Sequence, residues 1–153
     1  MKDIIWEDYL YRDDLKICTE AELKSEEVKL GVILPETLKS LIMTHGGESP
    51  ENLTPIYPKG KKMTIECIYH AYPQDDKYGS YTMSFATSCL ADGGYNHYVA
   101  FSNKGSVFLA LDYNVRDLDP PVVFIFKDSP SDDPEHRYFL ADSFDEFLEC
   151  FTL

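Results

Sequence analysis

Val107-Phe108-Leu109-Ala110-Leu111 is apolar at every position. Side chains alternate between two faces along a strand, so a run with no polar face has to be covered on both sides. That makes it a central strand. Pro121–Phe126 reads Pro-Val-Val-Phe-Ile-Phe and predicts another strand of the same kind. Tyr95–Ser102 and Ser106–Tyr113 flank Asn103-Lys104-Gly105, the pattern of a β-hairpin. Upstream, Met63–Tyr72 mixes β-branched and aromatic residues and predicts a strand. Met83–Ala86 is a further short apolar piece among these strand signals. Pro73-Gln74-Asp75-Asp76 and Asp92-Gly93-Gly94 read as turns.

Helical signals sit at the two ends. Thr19-Glu20-Ala21-Glu22 is a capping box: the threonine hydroxyl can take a free backbone N–H, and the glutamate can reach back. Leu23, Val28 and Leu30 offer an apolar side, and Gly31 sits where a left-handed stop belongs. Leu34-Pro35-Glu36 opens a second helix, with proline preorganised for its first turn. Leu38, Leu41 and Ile42 continue it, and Gly46-Gly47 ends it. Residues 48–62, rich in Pro, Gly and Lys, read as loop. Ser143-Phe144-Asp145-Glu146 is a second capping box, followed by an apolar face of Phe147, Leu148 and Phe151. Helices segregated from antiparallel strands predict an α+β domain, and 153 residues fit one domain spanning 1–153.

Charge narrows the partners. The chain carries 27 Asp+Glu against 14 Lys+Arg, a formal net charge of −13. Residues 112–153 hold eleven of those acids and only three bases. Such a surface repels a phosphate backbone, so direct nucleic-acid binding is not expected. It attracts and steers a basic protein. Cys18, Cys67, Cys89 and Cys150 are widely scattered, which predicts free thiols. No stretch approaches the roughly 20 apolar residues of a membrane helix, and Met1–Asp8 lacks the apolar run of a signal peptide. A reducing cytoplasm is the expected compartment.

Catalytic signatures are missing from the sequence. His45-Gly46-Gly47 is like the oxyanion loop of some esterases, but that loop needs a Gly-x-Ser-x-Gly elbow and the chain has none. The glycines are read as a helix stop. His45, His70, His97 and His136 show no HExxH spacing. The P-loop and dinucleotide fingerprints are absent as well. The expectation is a protein that is not an enzyme, with no cofactor and no metal.

Several segments together resemble one family. Thr19-Glu20-Ala21-Glu22, Lys29–Leu38 (reading Lys-Leu-Gly-Val-Ile-Leu-Pro-Glu-Thr-Leu) and His45-Gly46-Gly47 are similar to the opening of the SUKH superfamily. This superfamily joins Smi/Knr-type regulators and bacterial immunity proteins. Phe85-Ala86, Asp92-Gly93-Gly94 and a hairpin ending Leu111-Asp112-Tyr113 resemble its centre. Phe139–Leu148 resembles its closing helix. His45 stands where asparagine is usual, and Leu111 where a tryptophan is often seen. The resemblance implies helices packed on a curved, mainly antiparallel sheet. It also implies an immunity protein that binds and neutralises a cognate toxin, such as a basic nuclease. The alternative it leaves open is a non-catalytic regulatory module of the Smi/Knr type.

Either reading needs a docking surface. The acids expected to form it are Asp92, Asp112, Asp117, Asp119, Asp128, Asp132, Asp133 and Glu135, and the loops at 114–120 and 127–136 are expected to be exposed. Tyr95, Tyr98 and Tyr113 are candidate aromatic anchors if they project outward.

Overall fold

The computed structural model describes residues 4–8, 18–50, 54–55, 66–71, 81–126, 137–149 and 151–152. Along the chain the elements are β1 (Trp6–Asp8), α1 (Glu20–Leu30), α2 (Glu36–His45), β2 (Glu48–Pro50), β3 (Thr54–Pro55), α3 (Met83–Asp92), β4 (Tyr98–Lys104), β5 (Val107–Asp112), β6 (Val122–Phe126), β7 (Arg137–Ala141), α4 (Phe144–Glu149) and β8 (Phe151–Thr152). The fold is α+β. Strands β4-β5-β6-β7 form an antiparallel four-stranded sheet in that order, and β1 pairs with β2 and β3 with β8.

The two apolar runs are the two inner strands. Phe108 through Leu111 are buried, as are Val122 through Ile125. The chain at 66–71 extends the layer beside β4: Glu66 and Tyr69 donate N–H groups to the carbonyls of Asn103 and Phe101, at 2.9 Å each. A bulge between Ala100 and Ser102 bends β4. At that bend Phe101 meets α4 edge-to-face through Phe144 and Phe147, at centroid distances of 5.3 and 5.5 Å. Such aromatic pairs add about 1 kcal/mol each beyond their buried area.

Both expected N-caps are present. Thr19 Oγ1 accepts the Glu22 N–H at 3.2 Å, and Ser143 Oγ accepts that of Glu146 at 3.1 Å. Glu146 reaches back, to the Asp142 N–H at 2.9 Å. Gly31 closes α1 at φ 69°, where its N–H meets the Glu27 carbonyl. Gly46 follows α2 where a Cβ would lie 2.7 Å from the Ile42 carbonyl oxygen. Past it, Trp6 of β1 stacks on His45 at 4.1 Å, and His45 Nδ1 bonds Glu48.

Four expectations need correction. Met83–Ala86 is the first turn of α3, not a strand. Thr82 caps it at Phe85, and Met83, Ala86 and Leu90 are buried at helical spacing. The stretch 48–62 holds β2 and β3, because Glu48–Pro50 finds a partner in Trp6–Asp8. Phe151 lies in β8, beyond α4, rather than on its face. Pro35 stands at the N-cap of α2, one residue before the first turn.

The inward face of α1 is the largest departure. Val28 is 72% exposed, while Glu26 and Glu27 are buried beside Leu23. Glu26 Oε1 accepts the Ser84 N–H at 2.8 Å, so a side chain from α1 caps α3 from outside. Glu27 Oε2 accepts the Leu34 N–H at 2.8 Å, and its other oxygen lies 3.9 Å from Lys39 Nζ. Two backbone donors at helix starts are thereby satisfied, which explains why two adjacent carboxylates are tolerated inside.

Candidate functional site

Antiparallel pairing brings the start of β4, the end of β5, the start of β6 and the end of β7 to one end of the sheet: Tyr98 faces Asp112, and Val122 faces Leu111 and Ala141. The turn after α3 and the β5–β6 loop meet there. Leu118 is 63% and Val115 58% exposed, and Asp117 and Asp119 stand beside them in solvent.

The loop is tied down from several sides. Asp112 is buried and its Oδ1 accepts both the backbone N–H and the Nδ2 of Asn114 at 3.0 Å. Asn114 Nδ2 also donates to the Asn96 carbonyl at 3.1 Å. Tyr113 donates its N–H to His97, and its hydroxyl to the Ile33 carbonyl at 2.6 Å. Arg116 donates to the Asp119 carbonyl at 2.8 Å and pairs with Asp142 at 3.2 Å. Asp119 takes φ 44°, a left-handed conformation that aspartate tolerates better than most residues. Asp117, Leu118 and Asp119 are thus shown to solvent on a braced turn.

Beside the turn lies an open groove of about 530 Å³. Lys24, Glu27 and Val28, one helical turn apart on α1, form one wall. His97, Tyr113 and Asp117 form the other, and Gly31, Val32 and Ile33 close the end. Ile33 is 56% exposed. The lining carries two carboxylates, Glu27 and Asp117, and one lysine, Lys24. Burial, then the charges of Glu27 and Asp119, push the Tyr113 phenol well above the ordinary tyrosine range.

The residues expected from sequence fall into five groups. Asp92, Asp117 and Asp119 are exposed. Asp112 is buried in the turn it forms. Tyr95 and Tyr98 do not project outward. They are in the core, where Tyr98 receives a hydrogen bond from Arg137 across the sheet and Tyr95 donates to the Phe126 carbonyl at 3.4 Å. Tyr113 is half-buried and lines the groove. Asp128, Asp132, Asp133 and Glu135 lie outside the described residues. The connection holding them joins Phe126 to Arg137, and Phe126 pairs with Val107 at the other end of the sheet. Sequence reasoning missed Val28, Ile33 and Leu118. Their signal was available as apolar residues flanking a helix stop or placed between two aspartates.

Residues 17–150 match the model of the SMI1 / KNR4 family (SUKH-1). The chain belongs to this family. The match covers the helices, the four-stranded sheet and the groove, so the site is built from family elements. No curated protein matches the chain. Among the described residues, no helix is long and apolar enough to cross a membrane, and no cluster of His, Cys, Asp and Glu could hold a metal ion. Cys18, Cys67 and Cys89 are free thiols.

Proposed function

We propose that this SUKH-1 protein is an immunity protein that acts in the cytoplasm by binding a cognate toxin and neutralising it, without catalysis of its own. The toxin is a basic domain such as a nuclease. The observation that carries the reading is the braced turn that presents Asp117, Leu118 and Asp119 on a chain of net charge −13. Complementary charge speeds encounter with a basic partner. A preset turn loses little conformational freedom on docking, which favours affinity. Asp92 is exposed as well, and the acids at 128, 132, 133 and 135 add to the negative charge that attracts such a partner.

Co-expression with a basic toxin domain encoded beside it tests the proposal. The expected result is rescue of growth, a stoichiometric complex and loss of toxin activity within it. A complex in which the partner keeps its full activity would favour the Smi/Knr-type regulatory module instead.

A further inference from the structure

We infer that the groove between α1 and the β5–β6 loop is a subsite for a partner segment in which an apolar side chain is followed closely by a lysine or arginine. The inference rests on reading the chain as a protein-binding domain, and adds where and by what chemistry it binds. Val28 and Ile33 give the groove an apolar end, at 72% and 56% exposure, which suits an aliphatic or aromatic side chain. Asp117 stands in the opposite wall, and the exposed Asp119 follows two residues on. A cation belongs on that side. Lys24 on the α1 wall repels a cation there and so fixes the orientation: apolar group toward α1, charge toward the loop. Leu118, directly after the lining residue Asp117, is 63% exposed. The hydrogen bond from Tyr113 to the Ile33 carbonyl ties the loop wall to the end of the groove, so the subsite exists before its occupant arrives.

The probes are three synthetic peptides of equal length. One alternates leucine with arginine, the second alternates leucine with glutamate, and the third alternates serine with arginine. Each is titrated into the isotopically labelled full chain while its amide NMR signals are followed. The leucine–arginine peptide should move the signals of Gly31, Ile33, His97 and Leu118 and bind the tightest. Its affinity should fall about tenfold in the double variant Ile33→Ser, Leu118→Ser, which removes two exposed apolar side chains at once. It should also fall in Asp117→Asn, Asp119→Asn. All four positions are exposed, so both variants should fold. Equal binding of the leucine–glutamate peptide would overturn the inference. So would binding that leaves these signals still, or self-association of the chain through this groove. Failure of toxin neutralisation with the peptide result intact would sink only the immunity reading. Neutralisation with a silent groove would sink only this one.

Discussion

Glu26 and Glu27 on α1 and Asp117 and Asp119 on the β5–β6 loop are acids with opposite fates. The first pair is buried, at 2% and 5% exposure, and each carboxylate accepts a backbone N–H at 2.8 Å near the start of a following helix. The second pair is exposed, and Arg116 holds the Asp119 backbone carbonyl rather than either carboxylate. Burying a carboxylate is costly unless donors replace its water. Where the structure supplies them, the charge holds the fold together. Where it leaves the carboxylate in water, the charge is available to a partner. A count of acids along the sequence merges the two kinds.

The largest effect expected follows from the buried pair. Glu26→Ala leaves the Ser84 N–H without its acceptor and removes a negative charge from the start of α3. It should lower unfolding stability by about 2 kcal/mol, as should Glu27→Ala. Urea denaturation measures both. Glu26→Gln keeps an acceptor oxygen and should lose less. A loss as small as that of a surface substitution would break the distinction drawn above.

Cys18 reports on the same region. Burial, then the charges of Glu22 and Glu26, push its thiol from 9.0 up to about 11. The folded chain thus holds a proton that the unfolded chain releases, and stability should fall as pH climbs from about 9 toward 11. Thiol reactivity against pH, read on a variant keeping Cys18 as its sole cysteine, should show the raised midpoint. Glu26→Ala should lower it. An ordinary midpoint in the parent chain would place Cys18 in water.

A smaller effect is expected at α4. Ser143→Ala removes the acceptor of the Glu146 N–H and should cost about 1 kcal/mol. The remaining bond from Asp142 to Glu146 limits the damage, so Glu146→Ala combined with it should cost more than Ser143→Ala alone. Equal losses would show that the reciprocal half of the box adds nothing.

What the sequence made legible follows these physical lines. Signals confined to a few residues, such as the caps at Thr19 and Ser143, the stop at Gly31 and the apolar runs of β5 and β6, could be read directly because their causes are local. α3 was obscured: its apolar residues Met83, Ala86 and Leu90 look like a strand fragment when only Met83–Ala86 is considered. The inward turn of Glu26 and Glu27 was not legible at all. Their acceptor role depends on Leu34 and Ser84, and Ser84 is 58 residues from Glu26 along the chain. Of the site, the exposed acids Asp117 and Asp119 followed from Pro and Asp clustering. The groove did not, because Val28 and Ile33 are wall residues only once α1 meets Tyr113.

The smallest effect on stability, and the most telling one on function, belongs to the displayed pair. Asp117→Asn with Asp119→Asn should change unfolding stability by less than about 0.5 kcal/mol, since neither carboxylate is buried. Against a basic toxin the same variant should associate more slowly. The difference from the parent chain should shrink as salt rises, because exposed charges are screened within about 10 Å at 0.1 M ionic strength. The comparison variant reverses Asp132, Asp133 and Glu135 to lysine, in the sequence between Phe126 and Arg137 and outside the described residues. Long-range steering responds to net charge wherever it sits, so both variants should slow association. Only the loss of charges in contact with the partner also speeds dissociation once the complex has formed. Stopped-flow association and dissociation rates therefore separate the two sets of acids. Faster dissociation is expected for the pair at 117 and 119, and an unchanged dissociation rate for the triple reversal. The opposite pattern would move the docking surface to the connection between β6 and β7.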